Sequence, residues 1–466
     1  MSLIYFIAIP LLASFLTPFY KQYLRIVSVV INLLLAALAL YYYNRIPVDE
    51  AVSFDSPLAI RFLLDHASFL FMALFIAVML YFALYSIREK SSSDIFVVTN
   101  IFTAGVLGLV LSADIFNIYI FFEIASISAY ILTGLNRDKR GYAGAIKYMI
   151  VGAVASVFLL LAIMLIYLNL GYLTLASIGA GFHTLDRDIQ YLVLLSLFVG
   201  FGIKAEILPL NFWVADIYQA TPTRIAALFS AILSKAYLFL FFHILYTLKV
   251  DASALLFLTA IGMLSFAMAE LSALKSRDLK RIFAYSTLGQ LGLLFLALSS
   301  ADTTVISGAL FLVLIHAVTK LMLFFALDLM EQRMKSTAIE AFAGFKSGFL
   351  FAVFAIGFLS LLGIPPFAGF IAKLTILKGF AAMGAYWTVG AVLAISLIEA
   401  TYFFRLLSAH QRSPKTAEIQ IPLLPKIMLS LLALAILYFG LFPQGLLDFC
   451  TDAAQTLMQG VLHVTL

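Results

Sequence analysis

Residues 112–132 read SADIFNIYIFFEIASISAYIL. From Ile115 onward the run is long and apolar enough to cross a bilayer, which takes about 20 residues. One charge, Glu123, stands inside it. At about 1.5 Å per residue, Glu123 lies roughly 13 Å into a helix that starts near Ile115. A charge at that depth costs about 2.5–3.5 kcal/mol on the mildest scale. It is therefore expected to pair, to line water or to carry ions. The same pattern recurs along the chain. Lys204, Lys235, His316, Lys320, Lys373 and Glu399 are also flanked by long apolar runs, such as FSAILSKAYLFLFF. Lys204, Lys235, His316 and Glu399 fall roughly 20 Å into their segments, which is central in a core about 30 Å thick. Many such residues on many helices point to an ion or proton conduit.

Composition agrees. Of 466 residues, 64% are hydrophobic and 11% charged, against about 25% charged in a soluble domain. The expected fold class is an all-α polytopic membrane protein. No basic n-region with a small-residue cleavage site opens the sequence, so no cleavable signal is expected. The net charge of +5 serves topology rather than nucleic-acid binding. The single cysteine, Cys450, excludes an intrachain disulfide and a four-cysteine cluster. The six histidines show no metal-ligand spacing, and no phosphate-binding GxxxxGK[ST] loop occurs. No cofactor and no metal site are expected in this chain. Any redox energy must arrive from a partner, which leaves enzyme status open.

About fourteen spanning segments are legible. They lie near 2–20, 24–43, 67–86, 95–112, 115–134, 147–170, 190–208, 222–248, 252–271, 282–300, 303–330, 346–380, 384–406 and 423–443. Segment 12 is too long for one straight span and contains Gly363-Ile364-Pro365-Pro366, so it reads as a broken helix. Segment 7 runs into Leu208-Pro209 and reads as a second. Loops after odd-numbered segments are rich in Lys and Arg, among them Arg88, Lys90, Arg137, Lys139, Arg140, Arg277, Lys280, Arg281, Arg333 and Lys415. Loops after even-numbered segments carry little beyond Arg45, Arg61, Arg187 and Lys249. The positive-inside pattern places odd loops in the cytoplasm of a prokaryotic cell and both termini outside.

The motifs resemble a known family. SADIFNIYIFFEIASISAYIL, the following Ala145-Ile146-Lys147-Tyr148 and IKAEILPLNFWVADIYQATPT (203–223) are similar to the antiporter-like subunits of respiratory complex I, Mrp-type cation/proton antiporters and membrane-bound hydrogenases. LKRIFAYSTLGQLG (279–292), HAVTKLMLFF (316–325) and GIPPFAGFIAKL (363–374) match further family blocks in order. The style of the first blocks most resembles the D component of Mrp antiporters. The resemblance implies two inverted five-helix repeats, with helices 7 and 12 broken. It divides the chain into helices 1–3 (1–94), the first repeat (95–248), the second repeat (252–406) and a C-terminal helix with its tail (407–466). Segments five apart cross in opposite directions, and the two breaks are five apart, as inverted repeats around a midplane site require.

The resemblance also implies roles. Glu123 and Lys204 match a glutamate–lysine ion pair. An opposite charge keeps a buried lysine protonated, so opening the pair releases a proton. The rival reading is a static pair that locks two helices. Lys235 matches a relay lysine between the repeats, with snorkelling as its rival. His316 and Lys320, one turn apart, match a relay that uses histidine near neutral pH; a packing hydrogen bond is the rival for His316. Lys373 matches the residue facing the outer exit. Glu399 either pairs with Lys373 or satisfies a neighbouring helix. Lys147 starts segment 6, where snorkelling competes with a family role. Asp216 either caps a half-helix or lines proton uptake. Glu206, Glu270, Asp328, Lys378, His243 and Arg405 read as lying near segment ends, where topology or lipid contact explains them.

The expected function is a proton-translocating, antiporter-like subunit of a multisubunit membrane complex. Expected partners are other membrane subunits, further antiporter-like subunits among them. A redox hydrophilic arm is compatible, lipid surrounds the chain, and nucleic acid is excluded. Two alternatives stay open: direct sodium/proton exchange, which needs a sodium site of several oxygens, and a non-conducting scaffold.

Overall fold

A computed structural model describes residues 2–51, 60–87, 93–414 and 416–461. The loop charges Arg88, Lys90 and Lys415 lie outside the described residues. Most of the described residues are helical. Among them, eleven helices are long and apolar enough to span a membrane. They are α2 (Leu24–Tyr43), α3 (His66–Ser86), α4 (Ser93–Leu111), α5 (Ile115–Thr133), α6 (Lys139–Leu170), α8 (Thr223–Thr247), α9 (Ala252–Lys275), α10 (Leu279–Leu298), α11 (Thr303–Met334), α13 (Tyr386–Arg412) and α14 (Leu423–Leu441). The three other expected segments are irregular. Helix α1 (Tyr5–Phe15) is short and contains Pro10. Helix α7 (Arg187–Lys204) carries Arg187, Asp188 and Lys204. The twelfth segment is two helices, α12a (Gly348–Leu362) and α12b (Ala368–Ala382). A further helix, α15 (Gln444–Gln459), follows α14.

Several helix starts are fixed by side-chain caps. Asp114 opens α5, Asp138 α6, Asp278 α10 and Asp302 α11. Each side chain accepts a hydrogen bond from the backbone N–H three residues on, which satisfies a donor that the helix leaves orphaned. Asp65 opens α3 in a full capping box with Ser68. Two turns of α6 lie ahead of the apolar run that begins at Lys147, because Asp138 caps a charged first turn. Lys147 is thus inside α6, roughly 12 Å from its first residue, and not at its start.

The breaks are local. Helix α7 ends at Lys204, and a short helix, Val214–Ala220, follows. Helix α12a ends on Gly363, at φ 76°, a left-handed geometry that glycine alone adopts without strain. Helix α8 changes pitch at Phe229–Leu233, a π-helical turn. The described residues also hold two small strand pairs. β1 (Val48–Ala51) pairs antiparallel with β2 (Arg61–Leu64), and β3 (Phe345–Lys346) parallel with β4 (Ala417–Glu418).

The chain divides into two compact units. One comprises Met1–Ala205, Ile232–Ala252 and Asp452–Leu466. In it α5 packs on α4 and α6, and α6 packs on α7. The other comprises Glu206–Ala231 and Ser253–Thr451. There α11 is central and packs against α10, both halves of α12 and α14. Gly292 lets α10 approach α9 closely, since a Cβ there would lie 2.4 Å from the Phe266 nitrogen. Outward-facing side chains are large and apolar, as Ile150 and Val157 on α6, Phe257 on α9 and Leu397 on α13 show. Lipid is the solvent that suits them.

Candidate proton-transfer site

In the first unit Lys204 is the last residue of α7 and is buried. A cation suits that place, where the free carbonyls of a helix C-terminus carry partial negative charge. Its Nζ donates to the Tyr130 hydroxyl at 2.7 Å. It also lies 4.8 Å from the Tyr130 ring centroid, 5.2 Å from that of Tyr148 and 5.5 Å from that of Phe122. Three ring faces stabilise an ammonium by cation–π attraction. Gly152 of α6 makes the space: a Cβ there would meet the Tyr130 oxygen at 1.8 Å and Lys204 Nζ at 2.8 Å. Glu123 accepts a short hydrogen bond from the Ser156 hydroxyl. Glu123 and Lys204 make no direct ion pair. Tyr130, which holds the lysine, stands seven residues beyond Glu123 on α5, or about 10 Å along the axis. In place of the expected pair each member rests on a hydroxyl, Lys204 on Tyr130 and Glu123 on Ser156. Lys235 on α8 is fully buried, and Lys147 on α6 is half-buried.

The second unit holds a buried ion pair. Lys373 Nζ on α12b lies 2.7 Å from Glu399 Oε2 on α13, and both side chains are buried. The same Nζ approaches the Leu362 carbonyl, at the end of α12a, at 3.5 Å. The other oxygen of Glu399 accepts from Gln290 Nε2 of α10 at 2.9 Å. Lys320 on α11 is fully buried and donates to the Phe283 carbonyl and the Ser286 hydroxyl, both at 2.9 Å. His316 is buried one turn before it. Asp216 sits elsewhere, half-exposed. It pairs with Arg281 at 3.0 Å, and Gln219 binds the same guanidinium group at 3.1 Å.

Several buried ionisable groups escaped the sequence reading. Glu270 on α9 is 0% exposed. Its Oε2 accepts from the Tyr402 hydroxyl at 2.8 Å, and its Oε1 has no hydrogen-bond partner. His243 on α8 is also buried, with Nε2 3.9 Å from Asp65 Oδ2. Glu206 is buried just past the break in segment 7, at φ 62°. The lipid-contact reading of Glu270, Glu206 and His243 is therefore corrected. Depth along a segment does not fix which face a residue takes. The usable signal was the rule that an ionisable residue within a span is functional until shown otherwise.

Residues 112–398 match the family model described as NADH:quinone oxidoreductase/Mrp antiporter, TM. The chain belongs to that family. NADH-quinone oxidoreductase subunit N of Desulforudis audaxviator is 32% identical over 314 residues, covering 65% of this chain and 62% of that relative. The putative antiporter subunit mnhD2 of Staphylococcus epidermidis is 27% identical over 463 residues, covering 94% and 91%. Among solved structures, a chain of the membrane-bound sulfane sulfur reductase, an archaeal respiratory membrane complex, superposes with a TM-score of 0.90 at 31% identity, covering 98% of each chain. A chain of the Mrp complex from Dietzia sp. DQ12-45-1b gives 0.89 at 21%, covering 98% of this chain and 97% of its own. The fold is thus that of an antiporter-like, multi-pass membrane subunit. The solved neighbours are parts of multisubunit membrane complexes.

Proposed function

We propose that this chain translocates protons, as an antiporter-like subunit of a multisubunit complex in a prokaryotic cytoplasmic membrane. One observation carries the reading most directly: Lys373 and Glu399 form a buried pair at 2.7 Å in a chain whose long helices are apolar. Two charges in that setting are costly unless each holds the other. A lysine there can give up its proton when its carboxylate is drawn away and take one back when the pair closes. The open Glu123–Lys204 couple and the closed Lys373–Glu399 couple are two positions of one such switch. Lys235, His316 and Lys320 are further stations of the same path. Lys147 and Asp216 are candidates for the uptake side.

The likeness to the sulfane sulfur reductase chain favours a respiratory complex of that kind, with other membrane subunits and a redox hydrophilic arm as partners. Charge bias of the loops supports both termini outside, and the opposite parity of the two breaks supports inverted repeats. The test is proton movement in membrane vesicles from cells carrying Lys204→Ala or Glu123→Ala. The proposal expects transport to be nearly lost while native gels show the complex intact. Normal proton movement in both variants overturns it.

A further inference from the structure

His243 has no place in the row just described. It is buried, and among the described residues neither of its ring nitrogens has a hydrogen-bond partner. Buried polar atoms in that condition call for an explanation. The surroundings supply one. Nε2 lies 3.9 Å from Asp65 Oδ2, just beyond hydrogen-bond distance. Asp65 divides its carboxylate between two tasks. Oδ1 accepts from the Ser68 backbone N–H at 2.7 Å and so caps α3, while Oδ2 faces the imidazole. The aspartate side chain is 10% exposed and the histidine 3%, so the carboxylate is the member that reaches solvent.

We infer that His243 and Asp65 form a proton outlet of the first unit, at the end where α3 begins and α8 finishes. This rests on the proton-translocating reading above. Two orphaned nitrogens suit a relay, since an imidazole takes a proton on one and gives it up from the other. The step balances with water as the only co-reactant. Nδ1 takes a proton from hydronium on the inner side, and Nε2 passes its own to Asp65 Oδ2. That leaves a neutral imidazole and a carboxylic acid. The acid gives its proton to water at the surface and is a carboxylate again. No hydrogen bond holds the ring against the half-turn that resets it, and no bond between heavy atoms changes. A side-chain movement of about 1 Å closes the gap to hydrogen-bond distance.

The elements packed against α8 in this unit are α4, α7 and the short helix Leu175–Gly181. Asp94 lies at the opposite end of α4, and Lys204 at the far end of α7. Arg187 and Asp188, which open α7, are exposed, and Leu175–Gly181 carries no charge. On α8 itself Lys235 stands eight residues earlier, about 12 Å along the axis. His66 follows Asp65 on α3. Asp65 is thus the charged group that faces the imidazole. The walls are apolar: the Phe239 ring centroid is 5.1 Å from that of His243, and Phe239 stacks on Phe71 of α3 at 4.4 Å. The loops before α3 and after α8 are among those poor in Lys and Arg, which puts the outlet on the outer side. The rival reading is a neutral histidine that packs on Phe239, with Asp65 a helix cap and nothing more.

The experiment uses the purified complex in proteoliposomes with a pH-sensitive dye inside. Asp65→Asn keeps an oxygen for the cap, where Asn and Asp serve equally, but cannot hold the proton. His243→Phe keeps an aromatic ring against Phe239 but cannot relay. Positioned proton-transfer groups contribute about 100-fold or more, so each variant is expected to lose roughly that factor in proton flux with thermal stability and assembly near wild type. The double variant is expected to fall no further than either single one, because the two groups act in series. If Asp65→Asn and His243→Phe transport normally while Lys204→Ala does not, the outlet is wrong and the wider reading stands. If flux falls only as far as intact complex is lost, the pair is structural and the outlet is again wrong. If Lys204→Ala itself transports normally, the wider reading fails and takes the outlet with it.

Discussion

Consider Lys373 and Glu399 removed singly and together. Their charged atoms are 2.7 Å apart. At an effective dielectric constant of about 20, two unit charges at that distance attract by about 6 kcal/mol. Desolvation of both groups offsets much of this. Removing one member leaves the other buried and uncompensated, a loss of about 3–5 kcal/mol. Lys373→Met and Glu399→Gln should therefore each destabilise the protein by about that amount. The double variant has no stranded charge, so its loss should fall short of the sum by about 2 kcal/mol or more, within the range of measured coupling between contacting residues. Equilibrium unfolding in mixed micelles, followed by circular dichroism, measures all four corners of the cycle. Additive losses would refute the reasoning, since they would mean that the two side chains do not hold one another.

Three further outcomes follow from the same geometry. Gly152→Ala should displace the Tyr130–Lys204 contact, whose oxygen and nitrogen lie 1.8 and 2.8 Å from the added Cβ; proton flux in vesicles should fall with the complex still assembled, and unchanged flux would remove this contact from the mechanism. Tags at residues 1 and 466 should react with an impermeant reagent on intact cells, and a tag in the 137–140 loop should not; reversed labelling overturns the orientation. Burial raises the Asp114 carboxyl from 3.8 to about 6, so the folded state binds this proton more tightly than the unfolded one. Stability relative to Asp114→Asn should then fall by about 3 kcal/mol as pH rises from about 4 to 6 and stay level above that; a flat difference across the window would show that the carboxyl is not held in that way.

Much of this molecule was legible in its apolar runs. All fourteen expected segments correspond to helices or, at α12, to a pair of half-helices, because the bilayer demands long apolar stretches with every backbone group satisfied inside the segment. The two breaks were marked by Pro209 and by Gly363-Ile364-Pro365-Pro366. What stayed hidden depends on side-to-side placement. Lys373 and Glu399 are 26 residues apart, and nothing in either segment says which faces meet. Glu270 looked peripheral because segment 9 was read to end near 271, whereas α9 runs to Lys275 and turns this residue towards Gly289. The start of α6 was missed because Lys139 and Arg140 carry no hydrophobic signal, although Asp138 was a readable cap. That Lys204 rests on the Tyr130 hydroxyl rather than on Glu123 stayed hidden too, since a tyrosine among many aromatics gave no hint of it.

The central claim is that the buried Lys, Glu and His residues carry protons rather than hold helices together. Proton flux through the reconstituted complex tests it most directly, compared between wild type and Lys204→Ala, Lys235→Ala, His316→Ala and Lys320→Ala with assembly and thermal stability measured alongside. Stations in series predict that each single variant loses nearly all flux while the complex remains assembled. Flux that falls only in proportion to the loss of intact complex would contradict the account and leave a membrane scaffold.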